Sequence, residues 1–153
     1  MKALFPGSFD PFTIGHEALV RRSLKMFDEI VVAVGDNKQK HTMFSLEERM
    51  AVVRAVFKDE CRVKVDSYQE LTVDYCKKND IQYIVRGVRN EVDFRYESDL
   101  ARINSMLAPQ VETIFLLPDK GTELISSSLV RELIQFGKDC SQFLPQGIVL
   151  PKH

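Results

Sequence analysis

Apolar residues along this chain fall into short runs that alternate with segments of helical spacing. Five runs rich in β-branched residues predict strands over residues 3–5, 30–34, 62–66, 83–85 and 113–117. The run 30–34 is apolar throughout, which is typical of a strand covered on both faces. We expect the first strand to stop at Pro6-Gly7, because proline and glycine interrupt strands.

After each of these runs, apolar residues recur at helical spacing and predict five helices. The residues that mark these helices, in chain order, are Val20, Leu24 and Phe27; Leu46, Met50, Val53 and Phe57; the segment 71–78; Tyr96, Leu100, Ile103 and Leu107; and Leu129, Leu133 and Phe136. Ser45 and Glu48 have the spacing of a capping box at the start of the second helix, and Pro109 ends the fourth.

Strands and helices therefore alternate five times, with no repeat, linker or low-complexity segment between them. This alternation predicts an α/β fold: a single-domain Rossmann-like doubly wound sheet of five parallel strands, with helices on both faces, over residues 1–153. In such sheets ligands bind beyond the carboxyl ends of the strands, where the strand order reverses. We expect the functional residues there.

Length and composition set the class of protein but not its activity. The 153 residues are 44% apolar and 28% charged, with a formal net charge of −1. That charge argues against broad binding of nucleic acid or of a membrane surface, and no run reaches the ~20 apolar residues of a membrane span. Three well-separated cysteines indicate neither a zinc site nor a disulfide framework. Without a signal-peptide pattern, we expect a cytoplasmic protein.

The first connection between a strand and a helix is the densest group of candidate residues. It reads Pro-Gly-Ser-Phe-Asp-Pro-Phe-Thr-Ile-Gly-His over residues 6–16. Gly15 and His16 sit where a helix begins, and the free N–H groups and positive dipole of a helix start favour an anion. We expect His16 to donate a hydrogen bond to a phosphate oxygen and to change charge near neutral pH. An ordinary turn with an exposed histidine is the alternative.

Charged and hydroxyl residues also follow the other predicted strands. Lys40 lies in the polar loop after the second strand, where a solvated loop face is the alternative. Arg86 ends an apolar strand and needs an anionic partner, and phosphate or an ion pair with Asp93 or Glu97 would satisfy it equally well. The cluster Ser126-Ser127-Ser128 can cap the last helix and also bind a phosphate.

Blocks near both ends of the chain resemble the nucleotidyl transferase superfamily. Near the N-terminus, the blocks Gly7-Ser8-Phe9-Asp10-Pro11 and Thr13-x-Gly15-His16 resemble the region of its HxGH-type signature. Near the other end, Ile125-Ser126-Ser127-Ser128-x-x-Arg131 resembles its second signature, ISSTxxR. The blocks between them resemble the bacterial phosphopantetheine adenylyltransferases. They are Met43-Phe44 with Leu46-Glu47-Glu48-Arg49, and Arg86-Gly87-x-Arg89 with Asp93-Phe94-x-Tyr96-Glu97. The resemblance covers nearly the whole chain.

The resemblance implies reversible transfer of AMP from ATP to 4'-phosphopantetheine, giving dephospho-coenzyme A and pyrophosphate, with Mg2+ and without a covalent enzyme intermediate. It implies catalytic roles for His16, as transition-state stabiliser, and for Lys40 and Arg86. The implied ATP-binding residues are Ser8, Phe9, His16, Gly87, Val88, Arg89, Glu97, Thr122, Glu123, Leu124, Ile125, Ser126, Ser127 and Ser128. The implied acceptor-binding residues are Ser8, Lys40, Thr72 and Arg86. The resemblance implies no protein ligand to a metal, and it implies a homohexameric assembly.

Two positions depart from the family pattern. Ser8 stands where Thr is frequent in the family, and Thr72 stands where Met is frequent.

Three other functions fit part of the sequence pattern. A transferase for nicotinamide mononucleotide or glycerol phosphate would lack the blocks around Arg86 and Tyr96. A nucleotide-sensing module without catalysis would not need His16, Lys40 and Arg86. An RNA-modifying role, suggested by the HIGH-like motif of class I tRNA synthetases, lacks a basic patch.

Overall fold

The computed structural model describes residues 1–152, and His153, the last residue of the predicted domain, lies outside the described residues. The sheet strands are β1 (Lys2–Gly7), β2 (Glu29–Gly35), β3 (Val63–Tyr68), β4 (Tyr83–Gly87) and β5 (Glu112–Leu116). The α-helices are α1 (Ile14–Ser23), α2 (Leu46–Val56), α3 (Thr72–Lys78), α4 (Glu91–Leu107) and α5 (Ser127–Gln135). Across residues 1–152 no helix is both long and apolar enough to cross a membrane.

The five strands are parallel and lie in the order β3-β2-β1-β4-β5, which confirms the predicted fold. The chain builds outward from β1 to β3 and then crosses back to β4. Because crossovers between parallel strands are right-handed, this reversal puts α1 and α2 on one face and α3 on the other. The buried side chains match: Val20 and Val53 pack on the first face, and Val73 and Cys76 pack with Leu4 on the second.

The central pair of strands separates towards its carboxyl ends. β1 and β4 pair only through Ala3 with Tyr83 and through Leu4 with Ile84. Each strand keeps its outer neighbour to its last residue, β1 pairing with β2 and β4 with β5. A crevice therefore opens between the ends of β1 and β4, at the point where the strand order reverses.

The prediction that β1 stops at Pro6 is wrong, because the strand continues to Gly7. The Pro6 carbonyl accepts a hydrogen bond from Arg86 Nη1 at 2.7 Å, so it points towards β4. The nitrogen of a strand residue points to the same side as its carbonyl, and the missing N–H of Pro6 therefore faces the crevice. The ladder with β2 loses nothing, and Pro6 still pairs with Ala33.

Helix ends also differ from the predicted ones. α1 ends at Ser23, and Leu24 and Phe27 lie in the turn that follows, although both are buried. Phe57 caps the end of α2, and Phe136 follows α5 and is 72% exposed. Apolar spacing found three buried positions here but not the helix ends, because a turn can extend the buried face of the helix before it.

α4 is the helix that the apolar stripe predicts, and the structure leaves that stripe exposed. Tyr96, Leu100, Ile103 and Leu107 are 66%, 36%, 52% and 50% exposed. Within the described chain, Glu97 is the only buried residue of this helix. A contiguous apolar stripe on a helix surface is typical of a face that another molecule covers. The spacing correctly indicates an amphipathic helix but does not identify what its apolar face contacts.

Candidate active site

Two cavities open at the carboxyl ends of the strands and meet at the crevice between β1 and β4. The α3 cavity, about 710 Å³, extends towards Tyr68, Thr72 and Asn104. The α5 cavity, about 600 Å³, extends towards His16, Arg89 and the start of α5. They share a wall that includes Pro6, Ser8, Lys40, Arg86 and Glu97. Two ligands of moderate size can therefore lie side by side and meet at this wall.

The structure brings most of the predicted site residues to these cavities. The α5 cavity is lined by the predicted ATP-binding residues Ser8, Phe9, His16, Gly87, Arg89, Glu97, Thr122, Ile125, Ser126, Ser127 and Ser128. The α3 cavity is lined by the predicted acceptor-binding residues Ser8, Lys40, Thr72 and Arg86. Three others lie outside both linings. Val88 is buried, Glu123 accepts a hydrogen bond from the Gly121 N–H at 2.8 Å, and Leu124 is 88% exposed.

His16 is oriented by the cap at the start of α1. The Thr13 side chain accepts a hydrogen bond from the His16 backbone N–H at 3.4 Å, and the Thr13 N–H donates to His16 Nδ1 at 3.0 Å. This is a capping box in which histidine takes the place usual for glutamate. Because Nδ1 accepts, the ring proton of neutral His16 lies on Nε2. That N–H remains for a ligand in the α5 cavity.

Aromatic rings determine the charge of His16. Ring centroids 5.1, 5.2 and 6.4 Å from that of the imidazole belong to Phe9, Phe12 and Phe5. Burial, followed by the positive charges of Arg86 and Arg89, lowers the pKa of His16 from 6.5 to about 4. The imidazole is therefore neutral at physiological pH. The expectation that His16 changes charge near neutral pH is wrong, and the neutral ring presents an oriented N–H at the cavity.

Arg86 is held in the crevice by groups on both sides. Glu97, 7% exposed, accepts from Arg86 Nε at 2.9 Å and from Nη2 at 2.6 Å, while the Pro6 carbonyl accepts from Nη1. Burial acts to lower the pKa of Arg86, but the hydrogen bonds and charge of Glu97 outweigh it and raise that pKa. Of five N–H groups, three are used and two remain for a ligand. The ion pair with Glu97 and a contact with phosphate are thus compatible.

Arg89 and Lys40 bring two more cations to the site. Arg89 Nε donates to Asp93 Oδ2 at 3.0 Å, so Asp93 pairs with Arg89 rather than with Arg86. Lys40 Nζ donates to Ser8 Oγ at 2.9 Å. Lys40 therefore lies against the wall shared by the cavities, although its loop is largely exposed.

The serine cluster begins α5 at the edge of the α5 cavity. Ser126 is the N-cap, and its Oγ accepts from the Leu129 N–H at 3.1 Å. Ser127 Oγ donates to the Pro11 carbonyl at 2.8 Å, which joins the helix start to the loop after β1. The positive end of the helix dipole therefore faces the cavity and favours an anionic ligand.

Two buried charged residues have roles that the sequence pattern does not reveal. Asp10, 4% exposed, accepts hydrogen bonds from two backbone N–H groups of the loop after β2, and Arg49, 3% exposed, donates to three backbone carbonyls. Spacing does give one signal for Arg49. It lies three residues after Leu46 and four before Val53, and so falls on the buried stripe of α2.

Metal-ligating side chains are sparse at this site. Among the residues that the structure describes, no group of three or more His, Cys, Asp and Glu side chains could hold a metal ion.

The sequence matches a known family and several named relatives. Residues 4–133 match the family model described as cytidylyltransferase-like. The chain is 47% identical to the phosphopantetheine adenylyltransferase of Bacteroides fragilis, over 96% of this chain and 97% of that protein. It is 48% identical to the protein of the same name from Phocaeicola vulgatus over the same shares, and 45% identical to that from Flavobacterium johnsoniae over 99% of both chains.

The fold also matches a solved structure. That structure is a bifunctional NMN adenylyltransferase/ADP ribose pyrophosphatase from Francisella tularensis, complexed with AMP and a manganese ion. The TM-score is 0.70 at 17% identity, covering 96% of this chain and 45% of that one. The chain therefore spans less than half the length of that protein, and a likeness at this identity shows the fold alone.

The lowered pKa of His16 predicts a specific dependence of stability on pH. Between about 4, its pKa in the folded protein, and 6.5, the unfolded chain binds more protons at this residue than the folded one. The His16 contribution to stability is therefore present above 6.5 and is lost as the pH falls towards 4. Urea titrations of wild type and His16→Gln at several pH values measure this contribution. We expect the free energy of unfolding of wild type, minus that of His16→Gln, to decrease as the pH is lowered from 6.5 to about 4. A difference that does not change with pH there would show that the imidazole is not buried in its neutral form.

Proposed function

The chain belongs to the phosphopantetheine adenylyltransferases, within the cytidylyltransferase-like family, and we propose that its two cavities bind ATP and 4'-phosphopantetheine side by side. The reaction transfers AMP from ATP to the acceptor, giving dephospho-coenzyme A and pyrophosphate in coenzyme A biosynthesis. The observation that carries the proposed arrangement is the wall shared by both cavities, where Ser8, Lys40 and Arg86 come together.

We assign ATP to the α5 cavity because that cavity combines three groups that favour phosphate oxygens. They are the start of α5, the Nε2–H of His16 and the guanidinium of Arg89. Glu97 is proposed to act here mainly through Arg86, since both carboxylate oxygens already accept from that guanidinium. Val88, Glu123 and Leu124 would contact ATP only by moving or through their backbone.

We assign 4'-phosphopantetheine to the α3 cavity. Its phosphate end would meet Ser8, Lys40 and Arg86 at the shared wall. Its pantetheine arm carries amide and hydroxyl groups, and the cavity offers it hydroxyl and amide partners on Thr72 and Asn104. Thr72 Oγ1 lies 3.1 Å from the Tyr68 hydroxyl, so this part of the wall is polar where a methionine would make it apolar.

The proposed mechanism is a direct in-line attack. A phosphate oxygen of the acceptor forms a bond to the α-phosphorus of ATP while the bond to pyrophosphate breaks, and pyrophosphate leaves with the electron pair. The acceptor is already an anion near neutral pH, so it needs positioning rather than a general base. Lys40 and Arg86 reduce the repulsion between the phosphates, and His16 donates Nε2–H to an α-phosphate oxygen as its charge develops.

A Mg2+ ion fits this site as a companion of ATP. The described residues hold no metal-ligating cluster, so the phosphate oxygens and water would supply its ligands. Bound there, the ion would screen the charge of the leaving pyrophosphate. The fold relative from Francisella tularensis carries a manganese ion, which is consistent with a divalent cation at this kind of site. We further propose that residues 1–153 form one nucleotidyl transferase domain working in the cytoplasm, where ATP is available.

The role of His16 is tested by pyrophosphate release with ATP, Mg2+ and 4'-phosphopantetheine. We expect His16→Ala to fold and bind both substrates but to lose ~10²–10³-fold in kcat, because one donor to the developing charge is gone. His41→Ala, which removes an exposed histidine outside both cavities, should keep the wild-type rate. Near-wild-type kcat in His16→Ala would refute the role. Release by wild type with nicotinamide mononucleotide or glycerol 3-phosphate instead would refute the acceptor.

We also propose a homohexamer in which the apolar stripe of α4 contacts another subunit. The exposed Ile103 and Leu107 support a covered face, and the family resemblance implies six subunits. We expect Ile103→Glu to lower the mass measured by sedimentation velocity, because a buried charge disfavours the contact. Ser105→Glu adds the same side chain on the opposite side of α4 and should leave the mass unchanged. A wild-type chain that sediments as a monomer would contradict the assembly.

A further inference from the structure

Ser8 and Lys40 are brought together by two loops outside the regular structure. The loop after β1 carries Ser8, and the loop after β2 carries Lys40. Their side chains meet at 2.9 Å, but this single contact is exposed to solvent and so contributes little to holding the loops in place. Other groups must set the distance between the two loops.

Arg49, in the first half of α2, lies beneath both loops. Its Nη1 donates to the Ser8 carbonyl at 2.8 Å and to the Gly35 carbonyl at 3.0 Å, and its Nε donates to the Phe44 carbonyl at 3.2 Å. The three carbonyls belong to the loop after β1, to the end of β2 and to the far end of the loop after β2, just before α2. One planar guanidinium thus joins three segments of the chain through donors on two of its nitrogens. The ammonium of a lysine would have to reach all three carbonyls from a single atom.

Burying the charge of Arg49 costs free energy, which indicates that its hydrogen bonds compensate for that cost. The side chain is 3% exposed, and the partners named above are neutral carbonyls. Burial lowers the pKa of Arg49, although Asp10 and Asp36 act to raise it, and the guanidinium stays charged. An apolar side chain could fill this space without the cost of burying a charge. The carbonyl contacts are what such a side chain could not make.

Asp10 completes the connection from the opposite side. It belongs to the loop after β1, and its carboxylate accepts from the N–H groups of Met43 and Phe44 at 2.9 Å each. Phe44 therefore contributes its N–H to Asp10 and its carbonyl to Arg49. The two loops are joined twice, by a buried anion of one loop and by a buried cation below both.

We infer that Arg49 is a positioning residue for the transferase, which holds the Ser8 backbone and the Lys40 loop so that both side chains meet at the wall shared by the cavities. Arg49 lines neither cavity and acts only through the backbone that it binds. The inference rests on the proposed function, in which Ser8 and Lys40 hold the acceptor phosphate beside ATP.

The test compares two substitutions at Arg49 with one control on the same helix. Arg49→Met keeps the length of the side chain but removes all three hydrogen bonds to the carbonyls of Ser8, Gly35 and Phe44. Arg49→Lys keeps the charge but not the fork. Arg54→Met removes an exposed arginine of α2 and should stay within about twofold of wild type. We expect kcat/KM for 4'-phosphopantetheine to fall roughly 10²-fold in Arg49→Met, because a misplacement of about 1 Å has that effect. Arg49→Lys should recover only part of the loss.

Stability and activity must be measured separately. Assays run well below the melting temperature of each variant, with circular dichroism to confirm the folded fraction, report on the folded enzyme alone. A purely structural role would lower the melting temperature and leave kcat and KM of the folded variant unchanged, which would overturn the inference. If Arg49→Met does not fold, Arg49→Lys decides: kinetic constants equal to wild type overturn the inference, and a loss of about tenfold or more supports it.

Calorimetry of ATP binding separates this inference from the proposed function. If wild type releases no pyrophosphate with 4'-phosphopantetheine, the acceptor assignment fails, but Ser8 and Lys40 still line the ATP cavity. We then expect Arg49→Met to weaken ATP binding about tenfold, the loss of roughly one charge-assisted hydrogen bond, and Arg54→Met to leave it unchanged. Equal ATP affinities in wild type and Arg49→Met would overturn the positioning role.

Discussion

The site depends on the separation of β1 from β4 beyond Leu4 and Ile84. Pro6 presents a carbonyl towards β4 but no N–H, so the ladder between the two strands cannot continue. The same point is where the strand order reverses, and the loops that follow β1 and β4 therefore diverge. Arg86 occupies the crevice and bonds to the carbonyl that β4 leaves unpaired. The missing donor of Pro6 thus favours the opening of the crevice, and Arg86 of β4 brings a positive charge into it.

Charge and orientation are divided among different residues at this junction. Lys40 and Arg86 carry the positive charge that phosphates need, and Glu97 keeps Arg86 in place without using all of its N–H groups. His16 remains neutral because its partly enclosed position and the neighbouring Arg86 and Arg89 disfavour a further charge. The Thr13 N–H donates to Nδ1 of His16, and the Nε2–H of the ring remains to donate to a ligand. In the proposed reaction, such an arrangement would stabilise a developing charge without transferring a proton, which suits an acceptor that is already ionised.

The alternation of apolar runs and helical stripes was enough to predict the fold, and most of the site residues that the motifs indicated do line the cavities. The remaining features depend on tertiary contacts. The end of β1 depends on which way Pro6 faces, and the charge of His16 depends on rings brought together by folding. The spacing of apolar residues along α4 would be the same in the sequence whether the stripe packed against the core or against a second subunit. Arg49 gave only a weak signal because its partners are backbone carbonyls.

The central claim is that the two substrates react directly across the shared wall, with no AMP attached to the protein. It is tested most directly by incubating the wild-type enzyme with ATP, Mg2+ and isotopically labelled pyrophosphate, with and without 4'-phosphopantetheine. Direct transfer predicts that label enters ATP only when the acceptor is present, because only then does a step exist that pyrophosphate can reverse. Labelled ATP formed without the acceptor would reveal an adenylylated enzyme and contradict the claim.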